Sequence, residues 1–150
     1  MGEFLNKQFE PGLYARMKEK KYDLVPYVNV YGDTPDKGWS QYWDSPRYSS
    51  GFASLWNTFA FVPETHMLKP FPERVDVTYQ FLKVALNTCS KYGSVIQKSR
   101  KEANEFIKNQ QIFPLLWSID STQKDSLFFR GYSTTLSTSP VTGLDRLNFD

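Results

Sequence analysis

The sequence contains very little cysteine and histidine, and each scarcity excludes a class of protein. Of its 150 residues, one is cysteine, Cys89, and one is histidine, His66. A single cysteine excludes a disulfide within the chain, and one cysteine with one histidine excludes the usual zinc site built from those residue types. Any metal would therefore need ligands of another kind or from elsewhere.

The sequence also lacks long apolar runs and a strong excess of either charge. No segment has the roughly 18 consecutive apolar residues of a membrane-spanning helix, and residues 1–10 lack the apolar core of an export signal. Lysine and arginine total 18 against 16 acidic residues, which gives a net charge of +2. Because this small net charge creates no strong field that would attract nucleic acid, we expect no nucleic-acid partner. Because no apolar run is long enough, we also expect no membrane span.

Aromatic residues, by contrast, are abundant: the chain has 12 Phe, 9 Tyr and 4 Trp. Such a content excludes disorder over most of the chain and suits a packed interior or a cleft lined by rings. The length suits one domain or part of one. Gly-rich phosphate loops, Gly-x-Ser-x-Gly and His-Glu-x-x-His are all missing from the sequence, so these common motifs indicate no enzyme class.

The spacing of apolar residues predicts an α/β mixture of helices and strands. A long helix, or two with a break near Gly93, is expected over roughly 73–108, with Cys89 in the core on its apolar stripe from Val75 to Ile107. The other predicted elements are a helix over about 11–20, an edge strand within 24–31, an aromatic surface loop over 32–46, a buried strand at 59–62, and β-strands in 113–119 and 127–136 separated by the polar stretch 120–125.

Three polar residues beside the predicted strand 59–62 suggest an acid–base site. Glu64 stands just past that strand, while Arg47 and Tyr48 lie on an earlier turn. A carboxylate at a strand end can move a proton, and an arginine can receive an anionic substrate. Each residue also has an ordinary interpretation: Glu64 as a solvated or capping carboxylate, Tyr48 as a half-buried packing ring, and Arg47 as the partner of Asp44 or Asp36.

Three stretches of the chain occur together in an order and spacing that extend over most of its length. They are Pro46–Gly51 (PRYSSG), Glu64–Pro70 (ETHMLKP) followed by Arg74 and Val75, and Phe129–Tyr132 (FRGY) followed by Ser139–Gly143 (SPVTG). In these stretches the chain resembles the zinc carboxypeptidases of the carboxypeptidase A type, most closely a bacterial branch with long C-terminal extensions. The resemblance implies that residues 1–110 are the C-terminal portion of a metallocarboxypeptidase-like catalytic domain and that residues 111–150 begin a β-rich accessory region.

The resemblance also implies roles for individual residues. Glu64 matches the glutamate that activates a zinc-bound water, and Tyr48 matches a tyrosine on a mobile loop over the substrate. Arg47 is the candidate for binding the substrate's carboxylate. The family's zinc ligands, a His-x-x-Glu and a later histidine, have no match in this chain. We therefore expect zinc in the parent enzyme, with ligands upstream, and none in this piece.

Two local departures from the family and one neighbouring residue qualify the resemblance. Relatives tend to carry an arginine at Asn57–Phe59, and Pro63 removes a backbone donor beside Glu64. Either departure points to altered specificity or lost activity. His66 either holds the Glu64 carboxylate or is an ordinary structural histidine with its own partner.

The implied function is that of a parent zinc metallocarboxypeptidase that hydrolyses C-terminal peptide bonds, with the C-terminus of a peptide or protein as its substrate. Such a parent is expected to be secreted or periplasmic, although this chain carries no export signal, and the 150-residue piece alone is expected to be inactive. The alternative is a non-catalytic peptide- or glycan-binding module, in which the aromatic loop Trp39–Trp43 holds the ligand and Glu64 is a relic.

Overall fold

The structure combines five helices with two small antiparallel sheets in the residues it describes. It is a computed structural model that describes residues 1–27, 29–32, 34–40, 44–128 and 130–149. The elements are α1 (Gly2–Phe4), a π-helical stretch (Leu5–Phe9), α2 (Glu10–Glu19), β1 (Asn29–Val30), a 3₁₀ turn (Pro35–Lys37), β2 (Trp39–Ser40), α3 (Ser49–Ser54), α4 (Phe71–Lys91), α5 (Gly93–Asn109), β3 (Thr134–Thr138) and β4 (Asp145–Phe149). The predicted α/β mixture is confirmed at this level. The metallocarboxypeptidase-like arrangement and the division at residue 110 stay predictions.

The helix predicted over about 11–20 is confirmed as α2, but helical structure begins earlier, at Gly2. The buried residues Phe4 and Phe9 are five positions apart, a spacing that a regular α-helix would not bring onto one face. The π-helical stretch between them accommodates the extra residue. Phe4 and Phe9 can therefore share one buried face with Leu13 and Met17 of α2.

The predicted buried strand at 59–62 is wrong, because these residues pair with no strand. Their side chains hold them instead. The ring of Phe59 lies 5.5 Å from that of Phe9, and the ring of Phe61 stacks on Phe9 at 5.9 Å between centroids and meets Phe81 of α4 at 6.3 Å. Alternate residues such as Val62 point outward and are exposed. The segment is thus fixed by aromatic packing rather than by a hydrogen-bonded ladder.

The long helical region is confirmed as two helices, α4 and α5, with the break at Tyr92 beside Gly93. The core forms where α4 packs on α2: Phe81 and Val84 are buried there with Leu13 and Met17. The buried Thr88 hydroxyl donates to the Val84 carbonyl oxygen at 2.8 Å.

The predicted core position of Cys89 is wrong. The Cys89 thiol is exposed, and its neighbour Thr88 takes the buried position on that turn. The part of the stripe that begins at Val75 on α4 faces solvent, while the opposite side of the helix packs on α2.

The β-rich prediction for the C-terminal part is only partly correct. Residues 113–119 form no strand, and of the described residues within 127–136 only the last three belong to one, β3. Its partner is β4, which follows a turn closed by the bond from the Ser139 amide to the Leu144 carbonyl at 2.8 Å. Large apolar residues of the segment before the hairpin, including Leu115 and Leu116, are exposed. In the described residues no other apolar surface packs against these side chains, so their burial does not stabilise a strand here.

The strand predicted within 24–31 is reduced to β1, which pairs with β2 through Asn29 opposite Ser40 and Val30 opposite Trp39. Within the predicted aromatic loop, residues 41–43 lie outside the described residues, so the structure does not test the part that contains Tyr42 and Trp43. No helix in the described ranges has both the length and the apolar character needed to cross a lipid bilayer.

Candidate functional site

Arg47 and Tyr48 lie on a tight turn that leads into α3. The Tyr48 amide donates to the Ser45 carbonyl at 2.9 Å, and the Tyr48 carbonyl accepts from the Phe52 amide at 2.8 Å, so Tyr48 is the N-cap residue of the helix. The Ser50 hydroxyl donates to the Asp44 carboxylate across the same turn. This local network fixes the backbone from which the Arg47 and Tyr48 side chains project.

Gly51 is required by the same turn. It is buried, and a Cβ atom added at this position would collide with the carbonyl oxygens of Asp44 and Ser45. Since these are backbone atoms, they cannot move aside without opening the turn. Gly51 therefore allows the chain that enters the turn to pass close to the first turn of α3, and so helps to position Tyr48.

The Arg47 side chain is exposed, and the two aspartates considered as its partners are engaged elsewhere. Asp44 accepts from Ser50, while Asp36 accepts from Thr34 and lies 3.5 Å from the Lys37 ammonium group. No described residue forms an ion pair with Arg47. Its guanidinium group is thus available to an external anion. Tyr48 is 49% exposed, so both its interpretation as a half-buried packing ring and its role in substrate binding stay predictions.

Glu64 lies in the extended segment that follows the Phe59 and Phe61 rings, three residues after Phe61. The prediction that Glu64 stands just past a strand is wrong, because residues 59–62 form no strand. The residue is exposed, and among the described residues its carboxylate takes part in no hydrogen bond or ion pair. Nor does any such bond join it to Arg47 within that part of the chain. The carboxylate is therefore free of a structural partner there.

His66 does not hold the Glu64 carboxylate. Its Nδ1 atom accepts from the Leu68 amide at 3.3 Å, and its ring lies 6.4 Å from that of Tyr132 between centroids. The turn that follows is tied to α4 by the Lys69–Glu73 ion pair at 3.1 Å. His66 is therefore a structural histidine with its own partner. Its contacts stabilise the turn after Glu64 and do not orient the Glu64 carboxylate.

The described part of the chain provides no set of donors that fits zinc. In the described ranges, no group of three or more His, Cys, Asp or Glu side chains lies close enough to hold a metal ion. Catalytic zinc usually takes three protein ligands. We therefore expect the 150-residue protein, incubated with zinc and dialysed, to retain no stoichiometric metal by plasma emission spectrometry. Retention of one equivalent would contradict the assignment of the ligands to other parts of a parent protein.

Two polar features were missed by the sequence reasoning. The Tyr22 hydroxyl donates to Asp76, which lowers the pKa of that carboxyl and raises the pKa of the tyrosine. Asn57, in a left-handed conformation with φ of 49°, donates to Asn104 of α5 at 2.8 Å beside a groove of about 500 Å³. Both contacts join residues far apart in sequence, so no local pattern could have identified them.

Comparison of the chain with known proteins identifies no relative. No family model, curated protein or solved structure matches it. The assignment to the zinc carboxypeptidases therefore depends on the sequence stretches quoted above and stays a prediction. For Arg47, Tyr48 and Glu64 the structure adds only that all three side chains are accessible and which groups surround them.

Proposed function

We propose that this chain is part of a zinc metallocarboxypeptidase, to which it contributes Glu64 as general base and Arg47 and Tyr48 as substrate-binding residues. The observation that carries the proposal is the state of Glu64: an exposed carboxylate, next to a segment anchored by aromatic rings, with no hydrogen bond or ion pair to any described residue. An accessible carboxylate that no neighbouring donor holds is able to accept a proton from a bound water, which is what the proposed role requires.

The chemistry assigned to Glu64 is proton transfer during peptide hydrolysis. The carboxylate accepts a proton from the attacking water as the new carbon–oxygen bond forms at the scissile carbonyl. It then delivers that proton to the amine that leaves as the carbon–nitrogen bond breaks, so the base is regenerated and the products are a free amino acid and a chain shortened by one residue. The zinc ligands of the parent enzyme belong to residues other than the described ones, and no role in metal binding is assigned to Glu64.

Arg47 and Tyr48 would recognise the end of the substrate. A guanidinium group presents two parallel N–H donors that match the two oxygens of a terminal carboxylate, and this geometry distinguishes a free C-terminus from an internal peptide bond. Tyr48 offers a hydroxyl group and a ring from the same turn. Because Gly51 and the Asp44–Ser50 bond set the backbone of this turn, the two side chains project from a defined base.

Arg47→Ala in the zinc-loaded parent protein is expected to raise KM for a peptide with a free C-terminus by about 10- to 100-fold, since a hydrogen bond to a charged group contributes roughly 1.5–3 kcal/mol. Tyr48→Phe should have a smaller effect, on KM or on kcat. Steady-state kinetics measure both. Arg100→Ala, which removes an exposed arginine of α5, is the matched control and should behave as the parent. Unchanged constants in both site variants would remove these residues from the site.

The second candidate is a non-catalytic module that binds a peptide or glycan. Phe52 and Trp56 favour it: both rings are exposed and meet edge to face at 6.3 Å between centroids. Exposed aromatic pairs of this kind serve as platforms for sugar rings and apolar side chains. The loop first considered for this role, Trp39–Trp43, is described only at its start. Binding of a ligand without turnover by the zinc-loaded parent would favour this candidate.

A further inference from the structure

Helix α4 has a second apolar face that nothing in the described chain covers. Its inner face packs on α2 through Phe81 and Val84. The outer face carries four large apolar side chains with exposed fractions between 51% and 69%. These residues, here named the outer seam, are Val75, Tyr79, Leu82 and Leu86.

The spacing of the outer seam is that of a helix–helix interface. Its members are separated by four, three and four residues, which is the alternation of the apolar positions in a coiled-coil heptad. At 3.6 residues per turn the four side chains fall within about 60° around the helix axis, so they form one straight stripe over three turns. A stripe this narrow fits the corresponding stripe of one other helix.

The protein exposes more surface than a compact monomer of its mass. Its accessible area is 12538 Å² for a mass of 17.5 kDa, whereas a folded monomer of that mass exposes about 7,900 Å². The excess of roughly 4,600 Å² is several times the approximately 800 Å² that each partner contributes to a standard interface. The extended segment before β3 accounts for part of this excess, and the apolar outer seam belongs to the same uncovered surface.

Charged residues beside the outer seam favour a second copy in one orientation. Asp76 and Lys83 lie seven residues apart on the same edge of the seam, so a partner helix running antiparallel brings each of them near the opposite charge on the other copy. A parallel partner brings Lys83 to the uncharged Thr78 instead. Asp76 already accepts from Tyr22 and Gln80, but a carboxylate has about four acceptor positions and can also receive an ammonium group.

We propose that the outer seam is the interface of an antiparallel homodimer. Val75 of each copy packs against the other copy's Leu86, and Tyr79 packs against the other copy's Leu82. The two Asp76–Lys83 pairs both form along the one edge where these residues of the two copies meet. The same patch serves both copies, as two-fold symmetry requires. This interface uses none of the residues assigned to catalysis or substrate binding, and its test measures association rather than turnover, so its failure is distinguishable from a failure of the proposed function.

The test is the oligomeric state of the purified protein by sedimentation equilibrium over a range of concentrations. The protein is expected to be a dimer, and Leu82→Glu with Leu86→Glu is expected to raise the dissociation constant at least 100-fold, because both copies place the charges in the seam. Both residues are exposed, so circular dichroism should show an intact fold. Leu116→Glu, an equally drastic change at an exposed leucine outside α4, is the control and should leave the dimer unchanged.

The orientation is tested by cross-linking in a Cys89→Ser background, which removes the native exposed thiol. Mixed Val75→Cys and Leu86→Cys proteins should cross-link to each other under mild oxidation, with little cross-linking of either variant to itself. Self-cross-linking of each variant would overturn the antiparallel arrangement. A monomer at about 100 μM, or a dimer lost with Leu116→Glu but kept with the seam variant, would overturn the interface itself.

Discussion

Glu64→Gln in the zinc-loaded parent protein is expected to lower kcat for peptide hydrolysis by about 10²- to 10⁴-fold, which is the range for loss of a general base. Glutamine keeps the shape of the side chain but cannot accept the proton of the attacking water. KM and metal content should stay close to those of the parent, since the proposed role of Glu64 includes neither substrate binding nor metal binding. Steady-state kinetics with metal analysis of the same samples measure all three quantities.

The matched control for this variant is Glu73→Gln. Glu73 lies nine residues further along and forms an ion pair with Lys69 at 3.1 Å, so its carboxylate has a structural partner where that of Glu64 has none among the described residues. Its loss should leave kcat within about twofold, because a partly exposed ion pair contributes little. Near-parental turnover of Glu64→Gln would remove the general base from the mechanism.

Phe9→Ala is expected to lower the free energy of unfolding by about 3–5 kcal/mol, the usual result of truncating a buried phenylalanine. The Phe9 side chain is 1% exposed and contacts the rings of Phe4, Phe59 and Phe61. Its removal leaves a cavity and also releases the segment that leads to Glu64. Urea denaturation followed by circular dichroism measures the change in stability, and limited proteolysis should show new cleavage between residues 57 and 64.

Phe106→Ala is the control for the core variant. Phe106 lies on α5 and is 68% exposed, so its truncation should change the unfolding free energy by no more than about 0.5 kcal/mol. Equal destabilisation by the two variants would show that the aromatic cluster around Phe9 does not form the core of the folded protein. Destabilisation without new cleavage at 57–64 would show that the cluster does not anchor the segment.

The helices were the most predictable part of this fold. Apolar residues at helical spacing determined α2, α4 and α5 to within a few residues, and Gly93 marked the break between the last two. Periodicity did not determine which side of α4 is buried, because the helix carries two apolar faces. The packing of α2 against α4 determines which face is buried, and a pattern within α4 alone cannot predict that packing.

The remaining errors in the fold also have physical reasons. Phe4 and Phe9 were missed because their five-residue spacing fits only a helix with a π-helical stretch. The strand at 59–62 was predicted from an apolar run, yet Phe59 and Phe61 are held by rings on helices instead of by a neighbouring strand. The strand predicted over 113–119 does not form, because a strand also needs a paired neighbour, which the end of the predicted 127–136 strand finds in β4.

The residues of the candidate site were predicted from their types and from an order along the chain that resembles the zinc carboxypeptidases, but their contacts were not predictable. The sequence reasoning identified Arg47, Tyr48 and Glu64, and all three are accessible. It could not determine that Asp44 and Asp36 would be occupied by other partners, or that His66 would bond within its own turn. These contacts decide which side chains stay available, and they depend on the folded backbone.

The most direct test of the proposed function compares two peptides that differ only at their last residue, one with a free C-terminal carboxylate and one with a C-terminal amide. Incubated with the zinc-loaded parent protein, the free peptide should lose its last residue and the amide should remain intact, since the terminal carboxylate is the group that Arg47 is proposed to bind. Mass spectrometry reads both products in one experiment. Cleavage of both peptides at equal rates, or tight binding of either without cleavage, would contradict a carboxypeptidase.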